Sequence, residues 1–196
     1  GWGSARPDAM HPRHKPMAEA RITVVGCSGS GKTTAARQIA RALDLPHLEL
    51  DSIYHQANWQ PLGDDRFRQE VLAFMDSHTG WVIDGNYLPV RDLIWSQATT
   101  TVWLDPPRGR MMRRLGWRTL RRFVLREELW NGNRESVSNF LSLDPEESIL
   151  AWAWQKHPVY RETYTAMQAD PRWDELKHHR FSHHSSLCDW LHESRP

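Results

Sequence analysis

Arg21-Ile22-Thr23-Val24-Val25-Gly26-Cys27-Ser28-Gly29-Ser30-Gly31-Lys32-Thr33-Thr34 is the stretch from which the rest of the chain is read. It opens on a β-branched run, and the residues that follow, Thr34 to Leu43, place apolar side chains at 35, 39, 42 and 43, a helical spacing. Between strand and helix stands G-x-x-x-x-G-K-[ST], in the strand, loop, helix context that its mechanism requires. Glycines there let successive backbone N–H groups turn inward on phosphate oxygens, and the helix N-terminus adds positive charge. The expected cradle is Gly26, Ser28, Gly29, Ser30, Gly31, Lys32, Thr33 and Thr34. Within it Lys32 reaches the β/γ-phosphates and the Thr33 hydroxyl ligates Mg²⁺. Cys27 reads as a small spacer in the loop, not as a nucleophile.

With 196 residues and 39% hydrophobic content, the chain supports one α/β domain with its own core. Residues 1–17 are set apart as a tag and disordered tail, since Gly1-Trp2-Gly3-Ser4 lacks an initiating Met and the Pro-, His- and Arg-rich residues after it show no periodicity. The remaining 18–196 form the single domain. Net charge is only +1, yet eight arginines fall between Arg108 and Arg126. Such a local excess implies an anion met at one place, not a polyanion spread over the surface, so a nucleic-acid partner is disfavoured. Two cysteines, Cys27 and Cys188, cannot make a disulfide framework. No apolar run approaches the roughly 18 residues of a membrane span. The expectation is a cytoplasmic protein, monomer or homodimer, with no membrane partner.

Pro46 to Asp51 reads as a second short strand ending on a carboxylate, and Ser52 to Gly63 as a loop. Asp64 caps a helix through about Ser77, with Phe67, Val71, Phe74 and Met75 on one face. Gly80 ends it, and Trp81-Val82-Ile83-Asp84 is the third strand. Thr99 to Asp105 is the fourth, stopped by Pro106-Pro107. Arg108 to about Glu128 is helical and basic. Asp144 N-caps a further helix, with Pro145 at N1 and Glu147 at N3, that stops near His157-Pro158, and another follows through Met167. His178 to Ser182 is the last strand, and Ser185 caps a terminal helix. Strands alternating with helices in this way predict a parallel sheet covered on both faces.

Ligands of such sheets bind at the carboxyl ends of the strands, where the phosphate loop, Asp51, Asp84 and Asp105 all fall. Asp84, a strand-end acid followed by Gly85, is the candidate to hold Mg²⁺ directly or through water. Asp51 is then free to accept a proton from an acceptor hydroxyl or to bind that hydroxyl. Asp105, ahead of two prolines, reads as structural. Of the arginines, Arg118, Arg122, Arg126 and Arg134 lie nearest a predicted loop from which a lid could deliver them to the transferring phosphoryl group. Trp59 and Trp130 are candidates to stack on a planar ligand. His178, His179, His183 and His184 form doublets on a strand and loop, a pattern that seldom converges on a metal.

Taken together, the loop, Leu50-Asp51-Ser52-Ile53-Tyr54, Trp81 to Tyr87 and the basic helix leading to Glu128-Leu129-Trp130-Asn131-Gly132-Asn133-Arg134 resemble the adenylate kinase-related P-loop proteins called "DNA topology modulation proteins". The resemblance implies a three-layer P-loop NTPase of nucleoside-monophosphate-kinase type. It has a five-stranded parallel sheet, an acceptor-binding insertion at about 52–78 and an arginine-bearing lid at about 108–136. It places the adenine by Arg110 or Arg114 and Ser182 to Ser185. The acceptor falls to Asp51, Tyr54, Trp59, Asn86, Tyr87 and Arg91, Arg91 taking the arginine of the D-G-F-P-R motif. Here Asp84-Gly85 is followed by a longer segment, and the lid lacks paired aspartates and zinc-binding cysteines, which puts AMP as acceptor in doubt. The expected function is Mg-ATP-dependent transfer of the γ-phosphate to a small acceptor, a nucleotide or nucleoside by preference. The alternatives are a nucleotide-binding regulator or nucleic-acid-associated ATPase, and a kinase of a sugar or other metabolite, including a toxin-like target.

Overall fold

The computed structural model describes residues 19–55, 60–125 and 148–194. Five strands form a parallel sheet in the order β2-β3-β1-β4-β5. They are β1 (Arg21–Gly26), β2 (His47–Glu49), β3 (Trp81–Asp84), β4 (Thr100–Leu104) and β5 (Lys177–Phe181). The helices are α1 (Lys32–Leu43), α2 (Leu50–Tyr54), α3 (Asp64–Asp76), α4 (Leu88–Gln97), α5 (Arg108–Leu125), α6 (Ile149–Gln168) and α7 (His184–Glu193).

Alternation along the strands sends successive side chains to opposite faces. On one face Ile22, Val24, Val82 and Val102 pack against Ala35, Ile39 and Leu43 of α1 and Leu187 and Leu191 of α7. On the other, Trp81 and Ile83 meet Phe67, Val71 and Met75 of α3 and Val90 and Ile94 of α4. Val25 and Trp103 meet Trp95, Tyr164 and Met167 there. Burying a side chain of this size contributes about 1.5–3 kcal/mol, so the two layers fix the sheet from both sides.

Four expectations change. Ser52–Tyr54 is not loop, because Leu50 to Tyr54 makes a short helix that carries Asp51 in its first turn. Gly63 and His183, not Asp64 and Ser185, occupy the N-cap positions of α3 and α7. Leu88–Gln97, unread in the sequence, is a helix with Pro89 in its first turn. The helix expected to end near Pro158 continues to Gln168, with Ser148 as its N-cap and Pro158 inside it. Proline lacks the N–H that would bond the carbonyl of Trp154. Arg108 of α5 fills that gap, its guanidinium donating to the Trp154 carbonyl and lying 3.5 Å from the Trp154 ring centroid. Asp144 to Glu147 lie outside the described residues.

Candidate active site

The loop after β1 joins the carboxyl ends of β2, β3 and β4. Gly29 adopts φ +80°, and a Cβ there would lie 2.9 Å from the Met111 carbonyl and 3.0 Å from Leu115 Cβ. Glycine therefore lets α5 press directly onto the loop. Two guanidinium groups follow from that contact. Nη2 of Arg118 donates to Ser28 Oγ at 3.4 Å, and Nη1 of Arg114 donates to the Ser30 carbonyl at 3.5 Å. Cys27 is buried against α6, its thiol 3.7 Å from the Ala153 carbonyl, and burial raises its pKa. A thiol held protonated suits a packing role.

Asp84 is 1% exposed at the end of β3. Its Oδ1 accepts the Thr33 hydroxyl at 2.9 Å, and its Oδ2 lies 2.5 Å from His47 Nε2. Glu49, beside it on β2, pairs with Arg37 at 3.2 Å. Burial raises the Glu49 pKa, and the charge of Asp84 adds to that rise. A hydroxyl and a carboxylate in contact next to the loop are oxygen donors of the kind Mg²⁺ takes. Among the described residues, no group of three or more His, Cys, Asp or Glu side chains is placed to hold a metal ion. Thr33 and Asp84 are the described oxygen donors that would hold a Mg²⁺ brought with a nucleotide. His47 was missed in the sequence, although the alternation of His47, Glu49 and Asp51 with Leu48 and Leu50 marks it.

Asp51 lies in α2, where its Oδ1 accepts the hydroxyl of Tyr87, and His55 Nε2 is 3.2 Å from that hydroxyl. Tyr54 packs on Tyr87 with ring centroids 4.4 Å apart, and Phe67 closes on the same ring at 5.4 Å. Three sequence-predicted residues, Asp51, Tyr54 and Tyr87, are thereby brought together, and His55 joins them. Asn86 departs from its expected place against an acceptor. Its Oδ1 accepts the Gly26 N–H at 3.2 Å and the Tyr164 hydroxyl at 2.8 Å, while its Nδ2 donates to the Gly26 carbonyl. Asn86 ties the end of β3 to the start of the phosphate loop. Arg91 sits on α4 beside Asp92, 3.4 Å away, and its charge acts on Tyr164. Trp59, Arg126, Trp130 and Arg134 lie outside the described residues. Arg122 is one turn beyond Arg118 on α5, half-buried.

A cavity of about 310 Å³ opens beside the loop between the ends of β4 and β5. Ser30, Gly31 and Thr34 form its loop side, Arg110 and Arg114 its α5 side, and Phe181 to His184 its far wall. It has the size of a small-ligand site and mixes apolar and cationic surface. Asp105 stands behind it as a buried anchor. It accepts Arg161 Nε at 3.2 and 3.1 Å and Arg180 Nε at 3.0 Å, linking β4, α6 and β5. His178 is spoken for as well, with Nδ1 2.7 Å from Thr101 Oγ1 and Nε2 3.1 Å from the Trp173 carbonyl.

A parallel sheet with the phosphate loop after its central strand, and Thr33 on Asp84, defines a P-loop nucleotide-binding fold. No protein-family model matches the chain. It is similar to a shikimate kinase of Prochlorococcus marinus (strain MIT 9313), 26% identical over 167 residues that cover 79% of each chain. Among solved structures, the shikimate kinase of Acinetobacter baumannii in complex with shikimate superposes with a TM-score of 0.53 at 18% identity, covering 90% of this chain and 91% of that one. A gluconokinase of Sinorhizobium meliloti 1021 does so with a TM-score of 0.50 at 20% identity, covering 91% and 90%. Those two superpositions carry the fold. The relatives named here are small-molecule kinases, and none bears the topology-modulation label.

Proposed function

We propose that the protein transfers the γ-phosphate of ATP to a hydroxyl of a small polyhydroxylated metabolite, of the size of shikimate or gluconate. The observation that carries this reading is Asp51, held by Tyr87 at the strand ends that also bear the phosphate loop and Asp84. A carboxylate there can accept the proton of an attacking hydroxyl. The acceptor oxygen bonds to the γ-phosphorus, the bond from that phosphorus to the β,γ-bridging oxygen breaks, ADP leaves, and the proton goes to Asp51. Lys32 and the loop amides bind the β/γ-phosphates, and Arg114 and Arg118 neutralise charge that spreads over the moving group. Thr33 and Asp84 hold the cation, which when bound shields the phosphate oxygens.

The names of the relatives support a metabolite over the nucleotide acceptor that the sequence favoured. The test is ATP consumption with shikimate, gluconate, other sugar acids, nucleosides and nucleoside monophosphates, each product identified by mass. A phosphorylated hydroxy acid or sugar is the expected product. Turnover confined to nucleotides or nucleosides overturns the acceptor class, and no acceptor-dependent turnover with any of them overturns the reading itself.

A further inference from the structure

Asp51 receives its hydrogen bond from a side chain that is itself positioned by three others. Tyr87 stands at the N-cap of α4, and its ring is wedged against Tyr54 and Phe67. Its hydroxyl has one proton, which goes to Asp51 Oδ1, so toward His55 the same oxygen can only accept. The order is then His55 Nε2–H to Tyr87 oxygen, and Tyr87 O–H to Asp51. Burial keeps the proton on Tyr87, and the neutral His55 ring serves this order in its Nε2–H tautomer. Burial lowers the His55 pKa, against the pull of Asp51, and it raises that of Tyr87, with Asp51 adding to the rise.

We propose that Tyr87 and His55 are positioning residues for proton transfer, occupying Oδ1 of Asp51 so that Oδ2 is presented to the acceptor hydroxyl. This rests on the phosphotransfer reading above. A carboxylate free to rotate would offer either oxygen in many orientations, and catalysis loses when the base is not held in reach. The chain is also short: residues 51 and 55 flank one helical turn, and residue 87 begins the helix that packs beside it. Other groups that feel the Asp51 charge are Glu49 on β2 and Tyr160 on α6, whose pKa burial pushes up to about 12.

The test uses the full chain and reads Asp51 itself. Carboxyl ¹³C shifts of labelled aspartate, followed against pH, give its titration midpoint in the native protein and in Tyr87→Phe, with Asp51→Asn to assign the signal. Loss of a donor to the ionised form should move the midpoint upward by about 0.5–1 units. A midpoint that does not move overturns the proposal. In turnover with shikimate or gluconate, Tyr87→Phe should lower kcat by about 10-fold or more, with KM for ATP within about twofold. His55→Phe should shift the midpoint in the same direction by less, and His55→Gln, which keeps an N–H donor, should restore part of it. These two variants keep the idea falsifiable should Tyr87→Phe fail to fold, since equal midpoints in both overturn the His55 step. If Asp51→Asn turns over like the native protein, the phosphotransfer role of Asp51 fails, whatever the titration shows.

Discussion

The two halves of the site are made in different ways. The nucleotide side is largely backbone, a contiguous loop of eight residues with α5 pressed onto Gly29 and two arginines reaching it. The proposed acceptor side, as far as the described residues show it, is built from side chains, with Asp51 and His55 at α2 and Tyr87 at the head of α4. Backbone cradles are set by glycine positions and by the helix that follows, so they tolerate little change and bind the same phosphates in many proteins. A site of side chains on separate elements can change its ligand one residue at a time.

The largest effect should come from the side with least redundancy. Lys32→Ala removes the cation proposed to meet the β/γ-phosphates, and phosphoryl transfer should fall by about 10²–10³-fold or more while circular dichroism and Tm stay near native. Native turnover in that variant would mean that the loop does not serve transfer. Asp51→Asn should cost about 10²–10⁴-fold in acceptor-dependent turnover, with ADP affinity by calorimetry within a few-fold of native. Equal losses in both quantities would erase the distinction between the two halves and make Asp51 a structural residue.

That same distinction decides what could be read in the sequence. Gly26 to Thr33 is contiguous, so its geometry follows from spacing alone, and the place of Asp84 beside Thr33 was legible because it ends a strand of the same sheet. The partners of Asp51 were not legible as partners, because residues 55 and 87 are brought together only by the turn of α2 and the start of α4. Asn86 was placed on the acceptor when its amide serves Gly26, since an Asn after a strand gives no sign of which backbone it will bond. Pro158 misled for a related reason. A proline ends a helix when the carbonyl it frees has no partner, and here the partner is an arginine 46 positions away.

Arg108 therefore gives a test outside the chemistry. Arg108→Ala leaves the Trp154 carbonyl without its guanidinium and should cost about 1 kcal/mol by urea denaturation. Pro158→Ala supplies the missing N–H from within α6, so Arg108→Ala should cost less in that background. A double-mutant cycle reads the difference directly, and additive effects would show that the guanidinium is not replacing the helical bond. Activity with ATP should change less than stability in each case.

The smallest effect concerns the proton balance of the acceptor side. Burial disfavours the charged form of His55, so the unfolded chain takes up a proton before the folded one does as pH falls. The unfolded state then binds more protons, and stability declines from its ordinary value near 6.5 down through the depressed folded value, below which the loss is complete. His179, also held low by burial, contributes with the same sign, whereas Glu49, held high, gains stability as pH falls toward its ordinary value of 4.5. Comparing native protein with His55→Gln isolates one of these slopes: urea midpoints measured across the acid side of neutrality should fall less steeply in the variant. Asp51 opposes the depression of His55, so Asp51→Asn should steepen the same slope. An unchanged slope in both variants would separate His55 electrostatically from Asp51, and with it the acceptor half from the hydrogen-bonded unit described here.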